Sequence, residues 1–352
     1  MTPTVHAYAE RKGFAESADA HPAATLADYR VAQQRIAPYV RRTPLVHASP
    51  WAPAGAGQLR LKAESQQVTG SFKARGAFNR ALNLPESIRA QGLATASGGN
   101  FGAAVAYVGQ QLKAPANVFV MNTSTSLTRQ RIERYGARLT VHGDFWDQSW
   151  EAAGAEVTRG GGALLHPYAD RDVVTGQGTL ALEIIDAWPE VETLVVSIGG
   201  GGLIAGVAEA AKLANPSIRI VGVEAAGCPT LHTCRQLGRI VALENVSTCV
   251  PILAARSTEP LNYALIERYV DDIVLVDESV VQATAEAAWN ETGLAIEYGA
   301  ATALAAVTER GFARRDDERI AVVLCGSGID GLPGRGEAST RTEKSARRRL
   351  RP

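Results

Sequence analysis

Thr69-Gly70-Ser71-Phe72-Lys73-Ala74-Arg75-Gly76-Ala77 separates two different hydrophobic periods. Before it, residues 58–64 (QLRLKAE) alternate apolar and polar as a strand does, and residues 71–84 read as a helix. The stretch is therefore a strand-to-helix turn, the unit from which α/β folds are built. Lys73 lies among a glycine turn, an aromatic ring and small residues, poor company for a solvated lysine. Burial disfavours the charged amine and lowers its pKa. A neutral amine attacks aldehydes to form a Schiff base, so the local chemistry fits a lysine carrying pyridoxal phosphate (PLP). The same stretch equally fits an ordinary turn into a helix, and other segments must decide.

Outward from this turn, the β-then-α alternation continues. Residues 25–36 read as a helix begun by Thr25 or Asp28, and Thr43-Pro44 ends that region. Strands are expected at 94–96, 116–121, 137–141, 193–198, 218–224 and 320–324, with helices at 128–135, 203–213 and 280–292. Val- and Ile-rich strands between helices imply a mainly parallel sheet covered on both faces. Ligands of such sheets bind just beyond the carboxyl ends of the strands.

Three segments lie at such ends. After residues 193–198 come Gly199, Gly200, Gly201 and Gly202, then Leu203 and a helix. Such a loop lets backbone N–H groups approach an anion at a helix N-terminus, a phosphate cradle without a basic side chain of its own. It lacks both the nucleoside-triphosphatase lysine pattern and the dinucleotide glycine pattern. After residues 94–96 come Ser97, Gly98, Gly99 and Asn100, where amides can hold a carboxylate and the Asn100 amide a phenolic oxygen. The plainer reading is an Asn-capped helix. After residues 320–324 comes Cys325, either a small structural hydrophobe or a neutral thiol facing a ring nitrogen.

Composition bounds the rest. The 352 residues are 46% hydrophobic, enough for a large core and about two domains. Basic and acidic residues number 36 each, so no overall field draws nucleic acid or a membrane. Residues 331–352 hold seven basic and two acidic side chains and read as a flexible basic tail, with polyanion contact the minor reading. Residues 1–24 read as a flexible, irregular arm. No secretory signal and no apolar run of about 18 residues is present, so no membrane span is expected and the cytoplasm is the default location. The four cysteines, Cys228, Cys234, Cys249 and Cys325, do not make a disulfide framework. Cys228, His232 and Cys234 match no usual zinc spacing, and no metal is expected.

Taken in order, Lys62-x-Glu64-x-x-Gln67-x-Thr69-Gly70-Ser71-Phe72-Lys73-x-Arg75-Gly76-Ala77, Ser97-Gly98-Gly99-Asn100, His166-Pro167 with Thr175-Gly176-Gln177-Gly178-Thr179, the 199–202 glycines, Gly222-Val223-Glu224, Glu297-x-Gly299-Ala300-Ala301 and Cys325-Gly326 resemble the serine/threonine dehydratases. These belong to the tryptophan-synthase-β-like, fold type II group of PLP enzymes. The resemblance covers roughly residues 25–330. It implies an α/β fold of two open, mostly parallel twisted sheets flanked by helices, with PLP between a large domain (25–88 and 168–330) and a small one (89–167). It implies Lys73 as the Schiff-base lysine and the base, Phe72 against the pyridine ring, and Asn100 on its 3′-oxygen. Gly199, Gly200, Gly201, Gly202 and Leu203 would hold the phosphate, and Cys325 would face the ring nitrogen. Ser97, Gly98 and Gly99 would take the substrate carboxylate.

The implied reaction is β-elimination from a β-hydroxy amino acid of threonine or serine type, giving a 2-oxo acid and ammonia in a homodimer or homotetramer. Racemisation, β-replacement and non-catalytic PLP binding are the rival readings. Racemases of the group carry a serine where Gly98 stands, many members carry His at the position of Phe101, and Cys325-Gly326-Ser327-Gly328 departs from the commoner glycine-asparagine endings. Glu224 has no second acid nearby of the kind that binds a cation in some relatives. The chain ends soon after its last strand, so no regulatory domain is expected.

Overall fold

The structure, a computed structural model, describes residues 4–7, 23–48 and 58–332. The expected basic tail from residue 333 onward lies outside the described residues. Strands β1 (Val5–Ala7), β2 (Leu45–His47) and β3 (Leu59–Lys62) precede helices α2 (Lys73–Asn83) and α3 (Glu86–Gln91), with α1 (Leu26–Ile36) between β1 and β2. Thr25 caps α1 and Asp28 completes the reciprocal capping box, so both residues singled out for that helix start take part.

The middle of the chain builds a second sheet. It runs through β4 (Leu93–Ala96), α4 (Asn100–Leu112), β5 (Ala116–Val120), α5 (Ser126–Glu133), β6 (Arg138–Val141), α6 (Trp146–Gly160) and β7 (Ala163–Leu164). These four strands pair in the order β6-β5-β4-β7, all parallel. The chain then continues through α7 (Arg171–Ala187), β8 (Thr193–Ser197), α8 (Gly202–Ala214), β9 (Arg219–Ala225), α9 (Thr230–Leu237) and β10 (Val241–Leu243). It closes with α10 (Pro260–Tyr269), β11 (Asp272–Val276), α11 (Glu278–Thr292), α12 (Tyr298–Thr308) and β12 (Ile320–Val323).

Six strands form the larger sheet, in the order β11-β9-β8-β12-β3-β2. Only the β2–β3 pair is antiparallel. Helices cover both faces, which is why β8, β9 and β12 are apolar along almost their whole length and buried. The four-stranded sheet is thus an insertion between β3 and β8 of the larger one. One expectation is corrected: residues 5–7, assigned to an irregular arm, pair antiparallel with residues 241–243. Three residues carry too short an alternation to be read as a strand without their partner.

The lysine turn rests on a buried ionic cluster. The Arg75 guanidinium donates to Glu64 on one side and to Glu183 of α7 on the other, at 2.7–2.9 Å. Lys62 Nζ reaches Glu183 at 2.5 Å, and Thr43 Oγ1 donates to Glu64 at 2.5 Å. All four charged residues are buried, with two positive charges matching two negative ones. Removal of one member strands the others in a low-dielectric interior, a loss of about 3–5 kcal/mol for a buried pair. Lys62, Glu64 and Arg75, read from sequence as motif companions of Lys73, therefore fix the start of α2 to the sheet and to α7. No helix among the described residues is long and apolar enough to cross a membrane.

Candidate functional site

A cavity of about 400 Å³ opens where strands of both sheets end. Lys73 follows β3, Ser97, Gly98, Gly99 and Asn100 follow β4, Gly199 to Leu203 follow β8, and Cys325 follows β12; all of them line it, with Phe72. Residues up to about 250 positions apart in sequence are brought together because parallel strands present their carboxyl ends on one side.

Lys73 Nζ donates to the Pro167 carbonyl at 2.6 Å. The Phe72 and Phe101 ring centroids lie 5.0 and 5.6 Å from the amine. Burial pushes its pKa down to about 8, against the opposing influence of Cys325 and Glu297. Phe101, where the family resemblance led one to expect histidine, is buried and supplies apolar surroundings in place of a titratable ring.

At the 199–202 loop, glycine is a packing requirement. A Cβ on Gly200 would fall 2.8 Å from the Tyr168 ring, and one on Gly202 would fall 2.4 Å from the Tyr168 carbonyl. Gly201 has φ +92°, a conformation that L side chains rarely adopt. Asn262 Nδ2 and Thr258 Oγ1 both donate to the Gly200 carbonyl, at 2.9 and 3.1 Å. The amides of Gly199 to Leu203 donate to no acceptor among the described residues. A row of free N–H groups at the N-terminus of α8 is a site for a dianionic phosphate.

The 97–100 loop has a similar construction. The N-cap of α4 is Gly99, so Asn100 is not the cap of that helix and its side chain is available for other work. Asn100 Nδ2 donates to both carboxylate oxygens of Glu297, each at 3.0 Å. Gly326 makes room for that pair, since a Cβ there would lie 2.1 Å from Glu297 Oε1. Glu297 is buried, which pushes its pKa up to about 7 against the Asn100 donor and the charges of Arg131 and Lys73. The Cys325 sulfur lies 4.0 Å from Glu297 Oε1, and burial pushes the thiol well above its ordinary range, so it is neutral at pH 7.

Sequence reading placed Glu297 in a motif but gave it no role, and it missed Tyr168, Thr258 and Asn262 altogether. Their work is tertiary: each arrives from a distant element to brace a loop, and only the small-residue run after Glu297 hints at close packing there. The residues weighed as metal ligands are otherwise engaged. Glu224 accepts from the Leu231 and His232 amides at 2.8 Å each and so caps α9. Cys228 and Cys234 contact backbone carbonyls at 3.6 and 3.8 Å.

The chain matches the family model described as "Pyridoxal-phosphate dependent enzyme" over residues 36–326. It is 32% identical to an L-threonine ammonia-lyase of Thermotoga maritima, with 87% of this chain and 76% of that one covered. It is 33% identical to a serine racemase of Oryza sativa subsp. indica, covering 90% and 94%. The solved structure of maize serine racemase superposes with a TM-score of 0.84 at 29% identity, covering 94% of this chain and all of the other.

Proposed function

Because the chain belongs to the pyridoxal-phosphate-dependent enzymes of fold type II, we propose that it eliminates water from a β-hydroxy amino acid to give a 2-aminoacrylate-type enamine, which takes up one water in hydrolysis to release ammonia and the 2-oxo acid. The observation that carries this reading is the convergence on one cavity of Lys73, the free backbone amides of Gly199 to Leu203, and the 97–100 loop at the N-terminus of α4. The residues fit the cofactor: a Cβ at the 199–202 loop would clash, its amides are unengaged, and an amine of lowered pKa stands across the cavity.

In this reading Lys73 is the attachment point for the cofactor aldehyde. Gly199 to Leu203 hold the phosphate through their amides and the positive end of α8. Asn100 would donate to the cofactor's phenolic oxygen, Phe72 would flank its ring, and the neutral Cys325 thiol would stand at the ring nitrogen. PLP supplies an electron-withdrawing ring conjugated to the substrate Cα, which eases loss of the α-proton. Ser97, Gly98 and Gly99 receive the substrate carboxylate at the N-terminus of α4. As a free amine, Lys73 would be the base for the α-proton. With a pKa of about 8 for the free amine, roughly a tenth of it is neutral at pH 7, about two hundredfold more than for a solvated lysine. The division into a large unit (25–88 and 168–330) and a small one (89–167) belongs to the same proposal, as do a homo-oligomeric state and a cytoplasmic location.

Racemisation is the second reading, favoured by the racemases among the relatives. Against it stands Gly98, which offers no proton at the position where racemases of the group carry serine. The test is a panel of L-serine, L-threonine, 3-hydroxyaspartate and 3-phenylserine given to the PLP-loaded protein, scored for 2-oxo acid, ammonia and D-amino acid. Elimination should exceed racemisation, and Lys73→Ala should lose at least about a thousandfold in rate. No product from any of these substrates, or activity retained by Lys73→Ala, would end the proposal.

A further inference from the structure

Arg131 is a residue of α5, beside the four-stranded sheet, and no step of the reaction above uses it. Its guanidinium donates to the Thr69 carbonyl at 3.2 Å and to Asn100 Oδ1 at 3.4 Å. Thr69 itself has φ +61°, a left-handed conformation uncommon for a β-branched residue, four positions before Lys73. One side chain thus touches both the loop that leads into Lys73 and the side chain assigned to the phenolic oxygen.

The chemistry of the two partners of Asn100 fixes which way its amide faces. A guanidinium has donors only, so it selects the amide oxygen. An ionised Glu297 has acceptors only, so it selects the amide nitrogen. The equal 3.0 Å distances from Nδ2 to both Glu297 oxygens fit one shared N–H, which leaves the second for a ligand oxygen in the cavity. Glu297 alone would not hold this orientation at every pH. When protonated it also has a donor, and a turned amide would then satisfy it equally well. Arg131 cannot change role, because a guanidinium offers donors only.

We propose that Arg131 is a positioning residue: it holds the Asn100 amide with its N–H₂ toward the phenolic oxygen of the cofactor and ties that amide to the backbone carrying Lys73. This rests on the PLP site proposed above, and its first readout is cofactor binding, which is independent of turnover. The charged and titratable groups facing Glu297 are Lys73 from α2, Arg131 from α5, and Cys325 and Asp330 from the segment after β12. Without Arg131 the carboxyl loses a neighbouring cation and takes up its proton at a higher pH, from a starting value of about 7.

The experiment compares wild type, Arg131→Met and Arg131→Lys as PLP-loaded proteins. It measures the PLP dissociation constant, the cofactor absorbance between pH 6 and 9, kcat and KM. Arg131→Met is expected to bind PLP roughly tenfold more weakly, the effect of one charge-assisted hydrogen bond. Its absorbance should gain a pH-dependent change, at or above about pH 7, that wild type lacks. Arg131→Lys restores a donor and a charge and should recover most of the loss. Should Arg131→Met fail to fold, Arg131→Gln decides in its place: it keeps a donor but loses the charge, so a severalfold weaker PLP affinity with the same pH-dependent absorbance is required. A variant of lowered stability with wild-type PLP affinity and an unchanged absorbance profile overturns the proposal. Altered PLP binding in a protein without turnover would sustain it while removing the elimination reading.

Discussion

In the proposed reaction, Gly98 carries no group that could return a proton to Cα from the side away from Lys73. A Cβ at this position would meet only Thr128 Cγ2 at 3.8 Å and Ser124 Cβ at 3.9 Å, ordinary contact distances. Serine should therefore fit without displacing the loop. Gly98→Ser is expected to keep its cofactor absorbance and to form D-serine from L-serine at least tenfold faster than wild type, read by chiral chromatography of the product. Unchanged D-serine formation in a folded, PLP-loaded variant would show that the missing hydroxyl is not what separates the two reactions. At this scale the sequence was informative at the turns that lead from a strand to the next element: Lys73, Asn100, the four glycines and Cys325 all line one cavity. Glu297 and Arg131 were not legible in their roles. One precedes a helix and the other lies within one, and neither local pattern records that both reach the Asn100 amide.

The element least legible in the sequence is α7. Gly176 and Gly178 punctuate its sequence as a loop would, yet both lie inside a seventeen-residue helix. Their role is close approach. A Cβ on Gly176 would fall 2.6 Å from the Arg75 carbonyl of α2, and one on Gly178 would fall 2.4 Å from the Gly206 carbonyl of α8 and 2.3 Å from the Tyr29 ring. Two helix backbones thus press against α7 from nearly opposite sides within one turn, and periodicity in one segment cannot reveal a neighbour's carbonyl. Helix propensity alone would make Gly178→Ala stabilising by up to about 1 kcal/mol. Overpacking should win instead, since the contacts are with backbone and a buried ring that cannot swing aside. The variant is expected to lose about 1–3 kcal/mol in urea unfolding. A Gly178→Ala variant as stable as wild type would mean that α7 and α8 can separate freely, against the packing described here.

At the scale of the whole molecule, the two sheets contribute complementary halves of one cleft. The 199–203 loop and Cys325 come from the six-stranded sheet, the Ser97–Asn100 loop from the four-stranded one, and Lys73 from the start of α2, between β3 and β4. Sequence alternation announced parallel strands but could not apportion them, because a strand carries no local mark of which sheet it joins; the two-sheet expectation came from the family resemblance. A cofactor held by both halves binds only the assembled cleft, so it should stabilise the native state by mass action. At a free PLP concentration one hundred times its dissociation constant the gain is about 2.7 kcal/mol. The sharper expectation concerns where that protection falls. Amide deuterium uptake should drop on PLP addition at residues 97–102 and at 199–205 together, since both sets of N–H groups lack protein acceptors in part and both face the cavity. In the proposed site, Lys73→Ala would remove the covalent tie but not the phosphate cradle. In that variant the 199–205 segment should retain most of its protection while 97–102 loses it. Protection confined to one loop in wild type would mean that the two sheets do not share the ligand, and the division of roles between them would have to be abandoned.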